Sequence, residues 1–356
     1  VPTKARIRPA DRRSRPVAEI IRAWRALTGG RKVRDPQRRT LVACSGGADS
    51  SALALALAAA SDNLVIAHIV HDLRPEPDSL ADRDAVRGLA DSLGVAFVEG
   101  RAKARGANDN LESAARRARY IELARLARES ACSYVAVAHH ADDQLETMLM
   151  RLLRGSGPRG LAAMRASRPL AREPGILLLR PMLGITRADT EAICRSCGWE
   201  WRQDATNADT SRLRAAVRAG AAANLRALNP RAGLKAVEAA ELLAGAAAVV
   251  ASRARALLAK AETDGPRDSA LAWPRAELRE EPSVVLGELL RESLRALGVG
   301  DEIDRVPSRA IARAVDAIKG QPTRPRTFRL GEFGVQVASR RVVVAREAEP
   351  RDAGIG

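Results

Sequence analysis

Thr40-Leu-Val-Ala-Cys-Ser-Gly-Gly-Ala-Asp-Ser-Ser51 is the stretch from which the rest of the chain can be read. A short apolar run stops at a double glycine and an Ala/Leu-rich helical pattern begins, which reads as strand, phosphate-binding loop and helix. Gly46 and Gly47 bear no Cβ, so backbone N–H groups can close on a phosphate. The N-terminus of the helix expected over Ser50–Ala60 adds unpaired donors and positive dipole. Ser45, Ser50 and Ser51 add hydroxyl donors, making Ser45, Gly46, Gly47, Ala48, Asp49 and Ser50 the candidate nucleotide cradle. A Walker loop would carry a Lys-Ser/Thr pair after its second glycine. This loop has no lysine and carries Asp49 instead, a carboxylate suited to the magnesium side of a phosphate. The plain alternative is a glycine turn between a strand and a helix.

The chain has 356 residues, enough for two or three domains and a substantial core. Lys and Arg total 59 against 43 acidic residues, a net charge of +16, and such a surplus suggests a polyanionic partner. Arginine-rich composition can also come from coding bias, so charge alone does not establish nucleic acid binding. Cys44, Cys132, Cys194 and Cys197 are too few and too scattered for a disulfide framework, which fits a reducing cytoplasm. No apolar run of ~18 residues appears and no apolar signal segment opens the sequence, so a soluble, cytoplasmic protein without membrane contact is expected.

Residues 1–39 hold thirteen Lys/Arg and three acids, so much of the surplus lies ahead of the loop. Within this basic arm Val17–Leu27 has helical spacing, with Ile20, Ile21, Trp24 and Leu27 on one face and Gly29-Gly30 as the stop. A solvated tail with one docking helix and an RNA-contacting arm are both open readings. From residue 40 to about 203, strand-like runs alternate with helical patterns, which predicts a doubly wound parallel α/β sheet. The strands are expected at Leu41–Cys44, Leu64–Ile69, Ala96–Glu99, Val135–Ala138 and Ile176–Leu179. The helices are expected at Ser50–Ala60, Asp78–Leu93, Leu111–Glu129, Asp142–Leu153 and Arg187–Cys197. Such sheets bind ligands beyond the carboxyl ends of their strands, and the glycine loop, His68-Ile-Val-His71 and His139-His140 all sit at such ends. Beyond Asp204 a helical linker is expected, with a long helix over Leu234–Glu262. A turn-rich break at Thr263–Ser269 follows, then a small α+β module with helices over Pro282–Leu297 and Ser308–Ile318. The division expected is therefore 1–39, 40–205, 206–264 and 265–356.

Four further stretches carry chemistry. His68 and His71 could be zinc ligands, but no Cys or His partners lie at metal-site spacing, and both are read as lining the nucleotide mouth. In Asn110–Tyr120, Glu112, Arg116 and Arg119 share one helical face, as a salt-bridged solvated face or as a site for negative charge. In Ala138–Thr147, one helical turn brings Asp142, Asp143 and Glu146 together at the mouth. They could stabilise the helix dipole, or hold magnesium or a cationic amine. Arg154-Gly-Ser-Gly-Pro-Arg-Gly-Leu161 is either a helix-ending turn or a loop against phosphate.

The Ser-Gly-Gly-x-Asp-Ser pattern of residues 45–50 resembles the signature of the PP-loop ATP pyrophosphatases. With the His68 stretch, Glu112–Tyr120, His139–Thr147, Arg154–Met164, Leu179–Met182 and Asp204–Asp209, the order and spacing resemble the tRNA(Ile)-lysidine synthetase family. The match is close over residues 40–230 and weaker to the end. The resemblance implies an enzyme that uses ATP to adenylylate the C2 oxygen of the wobble cytidine of an isoleucine tRNA with a CAU anticodon. The L-lysine ε-amine then displaces AMP to leave lysidine. ATP and Mg2+ are the implied cofactors, and a homodimer is left open. The resemblance implies Asp49, Arg116, Arg119, Asp143 and Glu146 as catalytic residues, with Asp49 and Asp143 towards Mg2+. The glycine loop with His71 and His139 would face the nucleotide. The linker departs from the family pattern at Ala215, where Asn is usual, and at Ala223, where proline often sits. Two other readings are a PP-loop tRNA thiolation enzyme, suggested by Cys194 and Cys197, and a non-catalytic RNA-binding relative.

Overall fold

The computed structural model describes residues 7–71, 76–102, 111–170, 175–202, 213–264, 270–298, 306–321 and 324–346. The chain divides into two compact units, residues 1–155 with 160–241, and residues 156–159 with 242–356.

The first unit is built on β1 (Thr40–Ala43), β2 (Leu64–His71), β3 (Ala96–Ala102), β4 (Tyr134–Ala136), β5 (Ser167–Pro169) and β6 (Leu177–Leu179). Among the described residues these form one sheet in the order β3-β2-β1-β4-β6-β5. All pairings are parallel except β5 with β6, and Leu41 of β1 lies between Val65 and Val135. The chain first builds outward through β2 and β3, then returns to the other side of β1. A crevice therefore opens between the carboxyl ends of β1 and β4, the switch point where open sheets take ligands.

Successive strand residues face opposite sides, and the two faces have separate cores. Val42 and Ile66 pack with α1 (Arg15–Leu27), α2 (Ala48–Ala58), α3 (Glu76–Leu93) and α7 (Arg187–Cys197). Leu41, Val65 and Val135 pack under α4 (Leu111–Glu129). Helix α2 is buried along nearly its whole length, as its ALALALA run requires, because it lies between the sheet, α1 and α7. The expected helix of the basic arm is α1, with Val17, Ile20, Ile21 and Trp24 buried and Leu27 half-buried. The Trp24 indole donates to Thr40 Oγ1 at 3.1 Å, tying α1 to the start of β1. The arm from Ala10 onward is thus part of this unit's core.

Helix α5 (Ala141–Leu153) follows β4, and the single turn α6 (Pro158–Leu161) follows α5. Residues 213–228 run as α8 (Leu213–Val217), a π-helical turn (Arg218–Ala222) and α9 (Ala223–Leu228). Then α10 (Ala232–Leu258) begins with its backbone against α5. A Cβ on Gly233 would stand 3.0 Å from the Ala141 carbonyl carbon, closer than a side chain tolerates.

The second unit carries β7 (Glu262–Asp264), β8 (Ala270–Pro274), α11 (Arg275–Arg279), α12 (Ser283–Ala296), α13 (Ser308–Lys319), β9 (Arg326–Leu330), β10 (Phe333–Val337) and β11 (Arg341–Arg346). Its antiparallel sheet runs β7-β8-β11-β10-β9, and Trp273, Leu286, Leu290, Ile311, Val335 and Val344 fill its core. Sequence reading missed β7 and β8, which flank the break read as a linker; residues 265–269 of that break lie outside the described residues. No helix among the described residues is long and apolar enough to cross a membrane.

Candidate active site

The glycine loop joins β1 to α2 as expected. Gly46 has φ +89°, a left-handed conformation that only glycine adopts without strain. Gly47 is the residue before α2, and a Cβ there would have only Ser45 Oγ within 4 Å, at 3.7 Å. The rest of the space around that position is open. Ser50 braces the loop: its hydroxyl accepts from Ser45 N at 3.1 Å and donates to the Gly47 carbonyl at 3.1 Å. Ala48 opens α2, so its N–H is one of the unpaired donors of the first turn.

Asp49 reaches across to two other elements. Thr190 Oγ1 on α7 donates to its Oδ1 at 2.6 Å, and its Oδ2 lies 3.4 Å from His140 Nε2. Burial would raise the Asp49 pKa, but the His140 hydrogen bond and charge, then Thr190 and Arg187, outweigh it and hold the carboxyl below its ordinary range. His140 precedes α5 and is buried. Its Nε2 also lies 3.7 Å from Asp143 Oδ2, and its Nδ1 lies 3.6 Å from Asp142 Oδ2. Burial alone would lower the imidazole pKa; the Asp49 hydrogen bond and the charges of Asp143, Asp49 and Asp142 reverse this and raise it above 6.5. Sequence reading did not assign His140 a role, although the acidic run after it was the available signal.

The three carboxylates of α5 are engaged by arginines from the linker helices. Arg214 donates to Asp143 Oδ1 at 2.7 Å and to Glu146 Oε2 at 3.0 Å. Arg218 donates to Glu146 Oε1 at 2.6 Å, and Arg226 to Asp142 Oδ1 at 3.2 Å. The Glu146 hydrogen bond is the largest reason that the Arg218 pKa rises, ahead of the opposing effect of burial. Asp142, Asp143 and Glu146 are each less than a tenth exposed, so a cation partner is what keeps these charges affordable. The linker helices are on these contacts a wall of the crevice.

Arg116 and Arg119 gather on the other side of β4. Arg116 Nη2 donates to Tyr120 Oη at 3.2 Å, and the guanidinium carbons of Arg116, Arg119 and Arg168 lie 5.2, 5.5 and 5.1 Å from the Tyr120 ring centre. Arg180, just beyond β6, donates from Nε to His139 Nδ1 at 3.2 Å. His139 therefore stands with the arginines. Burial first, then Arg180, Arg116, Arg119 and Arg214, drive its pKa well below 6.5 and keep it neutral. Arg168, Arg180 and Tyr120 had no sequence signal pointing to one another.

His68, expected at the mouth, is instead buried beneath the loop, its Nδ1 2.9 Å from the Cys44 carbonyl. The strand periodicity that makes β2 apolar carries it inward, where burial lowers its pKa. His71 ends β2, and its side chain, like that of Glu112, lies outside the described residues, as do the Asp204–Asp209 motif and Asn110. Arg154 caps the end of α5 and is exposed. Cys194 and Cys197 are free and buried, and Cys194 Sγ donates to the Ala48 carbonyl at 3.4 Å. Burial, then the nearby Cys197, Asp49 and Cys44, push the Cys194 thiol up to about 12, so it packs as an apolar group and offers no thiolate.

Among the described residues no group of three or more His, Cys, Asp or Glu side chains is arranged to hold a metal ion. Magnesium asks for less, one or two carboxylates beside substrate phosphates. Asp49 and Asp143 fit that role, since both direct an oxygen at the same imidazole nitrogen next to the glycine loop.

Residues 18–224 match the family model of the PP-loop domain. The tRNA(Ile)-lysidine synthase of Bordetella bronchiseptica is 43% identical over 253 residues, covering 68% of this chain and 69% of that protein. The tRNA(Ile)-lysidine synthase of Thermus thermophilus is 36% identical over 293 residues, covering 81% of this chain and 54% of that protein. Among solved structures, the tRNA thiolase NcsA from Methanococcus maripaludis, with its iron–sulfur cluster, superposes with a TM-score of 0.51. At 18% identity, covering 64% of this chain and 79% of that one, this is a likeness of fold alone. The fold, the glycine loop and the two closely related sequences together make this chain a member of the tRNA(Ile)-lysidine synthase family of PP-loop proteins.

Proposed function

We propose that this chain ligates L-lysine to C2 of the wobble cytidine of an isoleucine tRNA with a CAU anticodon, through an adenylylated tRNA. The observation that carries the reading is the meeting of Asp49, from the phosphate loop, and Asp143, from the acidic turn, on one histidine nitrogen. A phosphate cradle and a cation-holding cluster thereby share a crevice, and the reaction brings together a triphosphate and an ammonium.

In the first step the C2 oxygen of the cytidine attacks the α-phosphorus of ATP. The bond from that phosphorus to the β-bridging oxygen breaks, and pyrophosphate leaves. The N–H groups at Gly46, Gly47 and Ala48 and the hydroxyl of Ser45 are the oriented donors for its charge, with Ser50 bracing the loop that carries them. Asp49 and Asp143 are the residues that would hold a magnesium ion, whose charge would offset that of the phosphates. In the second step the ε-nitrogen of lysine attacks C2, the C2–O bond breaks, and AMP departs with that oxygen. Free lysine, with a side-chain pKa of about 10.4, arrives protonated and must lose a proton before attack. Asp143 and Glu146 meet both needs. Already holding guanidinium nitrogens, they are suited to an ammonium, and a carboxylate can accept the proton. Arg116 and Arg119 supply positive charge on the β6 side. The linker helices, which wall the crevice beside α5, are the surface offered to the rest of the tRNA.

The test is incubation of the protein with ATP, labelled lysine and transcripts of several tRNAs. Label should enter the CAU-anticodon isoleucine transcript and no other; incorporation into none of them would overturn the reading.

A further inference from the structure

Arg116, Arg119, Arg168 and Arg180 come from three places in the chain, α4, β5 and the end of β6, and meet around one phenol and one imidazole. Among the described residues none of the four pairs with a carboxylate. This sets them apart from Arg214, Arg218 and Arg226 of the linker helices, each of which does. Each guanidinium carries five donors, and the acceptors found for the four are few. They are Tyr120 Oη, His139 Nδ1 and the carbonyls of Arg165 and Pro169. Arg180 is 4% exposed, and the Nε of Arg119 is buried with no partner. Burying cations with unfilled donors is costly unless an anion completes the site. The phenol adds to the same picture: its burial would raise its pKa, but the charges of Arg116, Arg119, Arg180 and Arg168 outweigh that and lower it.

The position separates this anion from the nucleotide phosphates. The glycine loop ends β1, whereas Arg180 ends β6, two strands away in the order β1-β4-β6. At ~4.8 Å between neighbouring strands that is a displacement of about 10 Å, across the crevice from the loop. Its rim is the edge strand β5, where Arg168 is half-buried and open to a large ligand. A substrate whose base enters the crevice between β1 and β4 would bring its own backbone charges past this rim. We infer that Arg116, Arg119, Arg168 and Arg180 form a second anion site, which takes a phosphodiester of the RNA chain beside the nucleotide entering the crevice. The inference rests on the proposed function for the identity of that nucleotide and not for the site itself.

The experiment uses the full chain with Arg168→Ala and Arg168→Lys, since Arg168 lies on the edge strand and is half-buried, with thermal melting to check that loss of its contact with the Tyr120 ring leaves the protein folded. Binding of a CAU-anticodon isoleucine transcript is measured across a salt series, and ATP binding is measured separately by equilibrium dialysis. Arg168→Ala should weaken tRNA binding about tenfold at low salt, the loss expected for one charged hydrogen bond. It should also make the salt dependence shallower by about 0.7 in the log–log slope, the value for one phosphate of a single strand. ATP affinity should not change, and Arg168→Lys should restore the slope while recovering only part of the affinity, because lysine keeps the charge and loses the fork. An unchanged slope, or a loss of ATP affinity with tRNA binding intact, would overturn the inference, the latter assigning the cluster to the nucleotide. If the wild-type protein binds the transcript with the expected slope change on mutation and yet forms no lysidine, the anion site stands and the proposed reaction fails. If lysidine forms and the slope is unchanged, the reaction stands and the anion site fails.

Discussion

His139 and His140 are adjacent in sequence and belong to opposite electrostatic regions. On the β1 side of β4, Asp49, Asp142 and Asp143 surround His140 and raise its pKa; on the β6 side, burial and then Arg180, Arg116 and Arg119 keep His139 neutral. The acidic region has its charges paired internally through Arg214, Arg218 and Arg226. The basic region, among the described residues, has no such partner. Where environments push like groups apart in this way, roles divide. On the proposed function the paired region is where the lysine ammonium would exchange for a guanidinium, and the unpaired region is where an anion would be gained. A reaction that joins a cationic amine to a polyanion needs one of each, next to each other.

The sharpest way to break the contrast is at the phosphate loop, which both regions serve. Gly47→Ala fills the open side of the cradle and Asp49→Asn removes the charge facing His140. Each should lower tRNA-dependent pyrophosphate release by about a thousandfold, at the upper end of what single preorganised groups contribute. Circular dichroism should show the fold intact, because the added methyl has only Ser45 Oγ near it. Near-normal pyrophosphate release by either variant would mean that the loop does not hold the nucleotide.

Next in size is the acidic region itself. Glu146→Gln leaves Arg214 and Arg218 facing a neutral amide, at a cost of roughly 1–3 kcal/mol in stability. It should keep tRNA binding and lower lysidine formation about a hundredfold. Partial recovery at higher pH would show that proton removal was what failed. Lysidine formation at the normal rate would move the lysine site off α5.

The smallest effect reports on the basic region alone. The chain has two tyrosines, so an ultraviolet absorbance titration can resolve Tyr120, with Tyr120→Phe to assign it. Its burial favours the neutral phenol, but Arg116, Arg119, Arg180 and Arg168 prevail and lower its pKa below 10.0. The sign follows from a depressed acid: the ionised phenol stabilises the fold fully above pH 10, and this contribution is lost as pH falls through the lower folded value. Arg168→Ala should move the titration back towards 10, and a phenol titrating at its ordinary value in the wild type would remove the case for a crowded cationic site.

Much of the first unit was legible because its signals are local. Helices at Leu111–Glu129 and Arg187–Cys197 have the expected bounds, and the parallel strands fall within two or three residues of expectation. Strand β5 was missed: it has three residues, ends at Pro169 and sits on an edge, so no alternation marks it. The individual carboxylates and glycines of the site were legible as motif residues. Their partners were not, because Arg214 meets Glu146 across 68 residues and Arg180 meets His139 across 41, and only the tertiary fold sets those distances. Trp24 shows the same limit from another side. Its helix and apolar face were readable, and docking was one of the two open readings; its bond to Thr40 at the start of β1 was not, since only the tertiary fold brings the two together.

The π-helical turn at Arg218–Ala222 has a consequence for how this segment can change over evolutionary time. In an unbroken α-helix of 3.6 residues per turn, Arg226 would point about 80° away from Arg218, eight residues earlier. The wider turn takes up that excess, and both arginines reach carboxylates on the same helix, α5. The segment is therefore gauged by its length as well as its composition. The exposed Ala219 and Ala221 can be exchanged for similar residues with little effect, whereas a single-codon deletion would unwind the alignment and take one arginine off its carboxylate.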